Sequence, residues 1–131
     1  MALGQAAGTA AHLAIASNSE LRRLDTSRLQ RLLLGQGAVL TFFKDIDRNH
    51  SAYAALQYFG TKGFFPDYWA RADHPLERAT AARWLNVRIE GEGVLSRTEA
   101  AELLQKAGKT APWAPSAQPV LRGEFCAALY R

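Results

Sequence analysis

Leu76-Glu77-Arg78-Ala79-Thr80-Ala81-Ala82 returns in the same register as Leu95-Ser96-Arg97-Thr98-Glu99-Ala100-Ala101, and again as Val120-Leu121-Arg122-Gly123-Glu124-Phe125-Cys126. The shared pattern is an apolar residue, any residue, arginine, any residue, Glu or Thr, then small or apolar residues. Ser96 and Glu99 have the Ser-x-x-Glu spacing of a capping box, in which each side chain satisfies a backbone donor left free at a helix start. The three copies therefore predict short helices near 77–86, 97–107 and 122–130, with the Pro-rich stretch Pro112 to Pro119 separating the last two. The register also puts Arg78, Arg97 and Arg122 in the first turn, where the positive end of the helix dipole opposes a cation by about 0.3–1 kcal/mol. An unfavourable charge placed three times calls for partners, and the loop carboxylates Asp45, Asp47 and Asp67 are the candidates.

Outward from these copies, Ser51 to Thr61 reads as a further helix, with Ala52, Ala55, Leu56 and Phe59 as its buried face and Gly63 as its stop. Phe64 to Pro75 is an irregular aromatic loop. Before it, the apolar run Ala38 to Phe43 is broken into a turn by Asp45, Asp47 and Asn49. Those oxygens have the opening rhythm of a calcium loop, but His50 stands at the sixth place and Leu56 at the twelfth, so the segment is read as a turn. Another helix starts at Asp25 or Thr26, runs through Leu29, Leu32 and Leu33, and ends at Gly35 or Gly37. Residues 4–16 are almost all small, with Gly4, Gly8 and Ala11 along one nearly flat side of a helix. The fold class is thus mostly α. A small domain of five to six short helices joined by irregular loops, over 21–131, is preceded by a small-residue helix within 1–20.

The chain has 131 residues, of which 48% are hydrophobic and 21% charged, so it supports an ordinary core and leaves no room for a dinucleotide fold plus a substrate domain. The single Cys126 excludes an intrachain disulfide and a multi-cysteine zinc site, and its apolar helix reads as the setting of a buried, inert thiol. His12, His50 and His74 lie at no metal-ligand spacing, so no metal site is expected, and no catalytic residue is assigned. The net charge of +4 is mild. Arg22, Arg23, Arg28 and Arg31 are read as a solvated helix face rather than a nucleic-acid surface. The N-terminal apolar stretch lacks the basic residues that precede a signal-peptide core, and nothing is long enough to span a bilayer, so a soluble, by default cytoplasmic, protein is expected. Seven of the thirteen aromatic residues lie between Tyr53 and Trp69. Phe59, Phe64 and Phe65 are expected in the core, whereas Tyr68 and Trp69, next to Asp67 and Arg71, are the candidates for a binding surface.

Two stretches resemble known families. Gly4-Gln5-Ala6-Ala7-Gly8-Thr9-Ala10-Ala11 is similar to the last conserved block of a group of bacterial FAD-dependent oxidoreductases, where it starts the helix that closes the flavin site. Leu24-Asp25, the Leu29 to Gly37 helix, Val39 to Asp45, Ala55-Leu56-Gln57-Tyr58, Gly63 and Arg122-Gly123-Glu124-Phe125 follow in the order of the C-terminal part of those enzymes. This resemblance implies that Gly4, Gln5, Ala6 and Ala7 face FAD in a complete enzyme. It also implies that the chain is a C-terminal piece, holding no FAD alone because it has no earlier Gly-x-Gly-x-x-Gly turn for the pyrophosphate. Its implied partner is the missing FAD-binding domain or a second copy.

The second half also resembles an S-layer-homology module, in Phe43-x-Asp45, the Ala52 to Phe59 helix, Gly63, Phe65-Pro66 and the Leu-x-Arg-x-Glu helix starts. Such modules bind cell-wall polysaccharide, which implies a glycan or a protein as partner for the aromatic loop. Glu77 stands where that pattern has Ser or Thr, and Thr80 where it has Glu.

Overall fold

The computed structural model describes residues 2–131; Met1, which the sequence reading includes in its first segment, lies outside the described residues. The described residues form α1 (Ala2–Ala16), a 3-10 turn (Leu21–Arg23), α2 (Thr26–Gly35), α3 (Tyr53–Thr61), α4 (Arg78–Leu85), α5 (Arg97–Lys106) and α6 (Arg122–Tyr130). The protein is mostly helical, and among the described residues the apolar run Ala38 to Phe43 forms no strand. The chain divides into two compact units, the first ending at Thr41 and the second running from Phe42 to Arg131. α2 therefore groups with α1.

In the first unit α1 lies against α2. Leu13 and Ala14 of α1 and Leu33 of α2 are buried, and Thr9 donates through Oγ1 to Gln36 Oε1 at 3.0 Å. Asp25 caps α2, its carboxylate accepting from the backbone N–H groups of Ser27 at 2.9 Å and Arg28 at 3.3 Å. This satisfies two of the donors that a helix start leaves free. Gly37, with φ +79°, lets the chain turn away after α2 in a conformation that side chains with a Cβ rarely adopt.

The second unit is organised by its three similar helix starts. Leu76 N–H donates to Val120 C=O at 2.8 Å, Val120 N–H to Leu95 C=O at 3.0 Å, and Leu95 N–H back to Leu76 C=O at 2.8 Å. The three residues thus close a ring of backbone hydrogen bonds, and all three side chains are fully buried at its centre. Two positions on, Arg78 N–H donates to Gly93 C=O, Arg97 to Gln118 and Arg122 to His74, at 2.8–2.9 Å. Antiparallel bridges Pro75 to Leu121, Glu77 to Val94 and Ser96 to Pro119 complete a pseudo-threefold array. Fully paired buried amides are what make such an irregular centre affordable. The next apolar positions in register, Ala81, Ala100 and Phe125, are also fully buried.

α3 packs on α6. The expected face of Ala55, Leu56 and Phe59 is buried, continued by Ala52 just before it, and Gln57 and Tyr58 are buried as well. Gly123 is what lets the two elements approach: a Cβ there would meet Ala72 Cβ and Ala72 O at 3.2 Å and Ala52 Cβ at 3.3 Å. Its own N–H donates to Ala72 C=O at 2.8 Å. An aromatic ladder closes the other side, with Phe59 stacked on Phe64 (4.5 Å between ring centres) and Phe64 stacked on Trp84 (5.0 Å). Phe59 is buried as expected from sequence, while Phe64 and Phe65 are only half-buried.

Candidate functional site

The aromatic loop is held by carboxylates. Asp45 accepts from the backbone N–H groups of Ala70 at 2.8 Å and Arg71 at 2.6 Å, which fixes the far end of the loop to the turn after Phe43. Asp67 accepts from Trp69 N–H at 3.0 Å and pairs with the Arg71 guanidinium at 2.9 Å. The hydrogen bonds from Arg71 first, and from Trp69 second, hold the Asp67 carboxyl below the usual carboxylate range. Lys44 N–H donates to Tyr68 C=O at 2.8 Å. Between these ties the side chains of Tyr68 and Trp69 remain open, at 62% and 45% exposure. Phe42, which the sequence reading did not single out, joins them, exposed and 6.3 Å from Tyr68. The Lys44 ammonium lies 5.9 Å from the ring centres of both Tyr68 and Trp69. The result is an exposed aromatic surface on a fastened loop, beside the Lys44 ammonium. Such a surface can stack on a flat apolar face and offer a charge to its edge.

The three helix-start arginines are partnered differently from the loop pairing expected of them. Arg78 donates to Glu99 at 2.5 Å and Arg97 to Glu124 at 2.8 Å, so each pairs with the third helical residue of the next copy, and the loop carboxylates Asp45, Asp47 and Asp67 are not their partners. Those three aspartates are occupied by backbone N–H groups and Arg71; Asp47 accepts from Asn49 N–H at 2.7 Å. The physical reason is distance along the ring: the register that repeats the arginine also repeats the glutamate, and the ring sets them face to face. Arg122 has neither kind of partner and lies over the rings of Trp84 and Phe65.

At the start of α1, Gly4 and Ala7 are exposed and Gln5 and Ala6 half-buried. Gln5 donates through Nε2 to Gln36 Oε1 at 3.3 Å. A Cβ built on Gly4 or Gly8 meets nothing within 4 Å, so the small-residue side of the helix is uncovered. Arg22 and Arg23 in the turn that follows both approach Glu20, at 2.6 and 3.8 Å.

Among the described residues no three His, Cys, Asp or Glu side chains converge as metal ligands would. His50 accepts through Nδ1 from Ala52 N–H at 3.1 Å, which leaves Nε2 facing Asp73 at 3.4 Å. Cys126 is buried, and burial pushes its thiol well above the ordinary range. A groove of about 400 Å³ lined by Leu85, Val87, Arg88, Leu103, Lys106 and Ala107 contains none of the residues singled out from sequence. No helix is long and apolar enough to cross a membrane among the described residues. Comparison with known proteins finds no matching family model, no matching curated protein and no matching solved structure.

Proposed function

We propose that the chain is the C-terminal accessory region of an FAD-dependent oxidoreductase, contributing α1 to the flavin side of the complete enzyme and carrying out no catalysis by itself. The observation that supports this reading is the uncovered side of α1, where Gly4, Ala7, Gly8 and Ala11 are exposed and added Cβ atoms at Gly4 and Gly8 would meet open space. A helix that gives Leu13 and Thr9 to α2 and keeps a glycine and alanine face open gains little from that face in water. It gains when a backbone or a flat ligand comes close, which glycine permits. The N-terminal amides of such a helix suit an anionic or hydrogen-bond-accepting group. In this reading Gly4, Gln5, Ala6 and Ala7 face the cofactor, and the pyrophosphate is cradled by a Gly-rich turn on another part of the enzyme. The flavin, when bound, supplies the electron-transfer chemistry; α1 encloses it.

The DNA upstream of this reading frame tests the proposal. It is expected to encode a strand, a Gly-x-Gly-x-x-Gly turn and a helix, and the product is expected to copurify with this chain and keep flavin absorbance through gel filtration. Gly8→Leu is expected to leave the circular dichroism of the chain unchanged and to block that copurification. Upstream DNA without such a unit would overturn the fragment reading, and flavin retained by this chain alone would overturn the assignment of FAD to the complete enzyme.

A second reading, of a glycan-binding or protein-binding adaptor, is favoured by the exposed Phe42, Tyr68 and Trp69 beside Lys44. Retention on insoluble polysaccharide that is lost in Trp69→Ala would support it; equal retention of both proteins would count against it.

A further inference from the structure

The groove where α4 and α5 end has the dimensions of a small-ligand site. Leu85 closes α4, Lys106 closes α5, and Val87, Arg88, Leu103 and Ala107 complete the lining. Its volume of about 400 Å³ lies within the roughly 300–1,000 Å³ of clefts that hold small molecules. Six lining residues are far fewer than the roughly 20–30 per side of a stable protein interface, so the cleft fits a small ligand better than a folded partner. Four of the six are apolar and incompletely covered: Val87 and Ala107 are exposed, and Leu85 and Leu103 are half-buried. Apolar surface left wet in a concave site gains when an apolar body displaces the water.

The other two lining residues set the charge of the ligand. Arg88 and Lys106 are exposed, and neither side chain takes part in a hydrogen bond or ion pair among the described residues. No carboxylate lines the groove among those residues. Both helices end here, and their carbonyl ends carry about half a negative charge each; two whole positive charges exceed that sum and leave the groove net positive. A second recess, of about 250 Å³, shares Arg88, Leu103 and Lys106 with the groove, and the acids Glu90, Glu99 and Glu102 line that recess instead. Glu99 is taken by Arg78 and Ser96. The two cations thus stand between an apolar cleft and an acidic recess, and an anion held by them has its apolar body in the cleft, away from the acids.

We propose that this groove binds a single-chain anionic amphiphile, with the chemistry of a free fatty acid: the alkyl chain lies against Leu85, Val87, Leu103 and Ala107, and the anionic head meets Arg88 and Lys106. The chain supplies the affinity, through burial of methylene groups. The two cations supply the preference for an anionic over a cationic head.

The experiment follows the methyl resonances of Leu85, Val87 and Leu103 in the full chain at constant ionic strength, with each probe kept below micelle formation. Sodium octanoate and sodium hexanoate vary the chain length, and octyltrimethylammonium chloride keeps the octyl chain but reverses the charge of the head. Saturable shifts of these methyls with octanoate are expected, with an affinity at least about fourfold above that for hexanoate, the equivalent of burying one further methylene. Octyltrimethylammonium should bind more weakly than octanoate. Arg88→Gln combined with Lys106→Gln changes two exposed side chains, so circular dichroism should be unaltered while the preference for octanoate over octyltrimethylammonium disappears. No saturable shift of these methyls, equal affinity of the wild type for the two octyl probes, or a preference for octanoate that survives in the double variant would overturn the proposal.

Discussion

The starts of α5 and α4 occupy equivalent places in the ring and are held by different physics. At α5, Ser96 Oγ accepts from Glu99 N–H at 3.3 Å while Glu99 accepts from Ser96 N–H at 3.0 Å and from Arg78, so one carboxylate closes a capping box and an inter-copy ion pair together. At α4, Glu77 makes no side-chain cap and Thr80 offers no carboxylate. α6 lies between them: Glu124 accepts from Leu121 N–H at 3.1 Å, and the leucine has no oxygen to return. α4 is anchored instead by its last turn, where Trp84 donates to Phe64 C=O at 2.7 Å and stacks between Phe64 and the Arg122 guanidinium. The same backbone register is thus compatible with a polar anchor at the front of a helix or an aromatic anchor at its back.

If that contrast is right, Trp84→Ala should be the most damaging change, costing about 3–5 kcal/mol in chemical denaturation because a buried ring and the support of Arg122 go together. Gly123→Ala should follow at about 1–3 kcal/mol, since a methyl group 3.2–3.3 Å from Ala72 and Ala52 forces the packed backbone and side chains there to give way. Glu99→Gln should cost about 1–2 kcal/mol by loosening the box and the link to Arg78.

The Glu99 effect carries its own pH signature. Hydrogen bonds from Ser96 N–H, then Arg78, then the Ser96 hydroxyl lower its pKa from the ordinary 4.5 to about 2. A depressed carboxyl stabilises the fold above its unfolded pKa, and that contribution is lost as pH falls from 4.5 towards 2. The melting temperature of the wild type should therefore drop more steeply over this window than that of Glu99→Gln; parallel curves would show that Glu99 is not the anchor of α5. The smallest effect should be a gain: Thr80→Glu is expected to stabilise by about 0.5–1 kcal/mol, by giving α4 the carboxylate that α5 and α6 have. A loss of stability there would mean that Arg122 prefers its rings to a carboxylate.

Much of this was legible in the sequence because it depends on neighbours along the chain. The Ser96 and Glu99 box, the Asp25 cap and the three helix starts all follow from spacings of three or four residues; in α3 the spacing marks Ala55, Leu56 and Phe59, but Gln57 and Tyr58 are buried too. So did the exposure of Tyr68 and Trp69, which stand next to the charged Asp67 and Arg71. The partners of Arg78 and Arg97 were not legible. The sequence reading sent them to the loop carboxylates Asp45, Asp47 and Asp67, whereas the ring brings together residues 21 and 27 positions apart. Phe42 and Lys44 were missed for the same reason: they reach the aromatic loop only because Asp45 folds the chain back onto Ala70 and Arg71.

Local propensity and capping are short-range, so the sequence by itself determined that this protein is helical, where its helices begin, and that one pattern is used three times. Which carboxylate meets which arginine, how tightly Gly123 packs against Ala72 and Ala52, and that Arg122, of the three helix-start arginines, pairs with no carboxylate were decided by the tertiary structure. A ring closed by Leu76, Leu95 and Val120 sets those groups face to face, and burial then makes each match, or mismatch, energetically consequential.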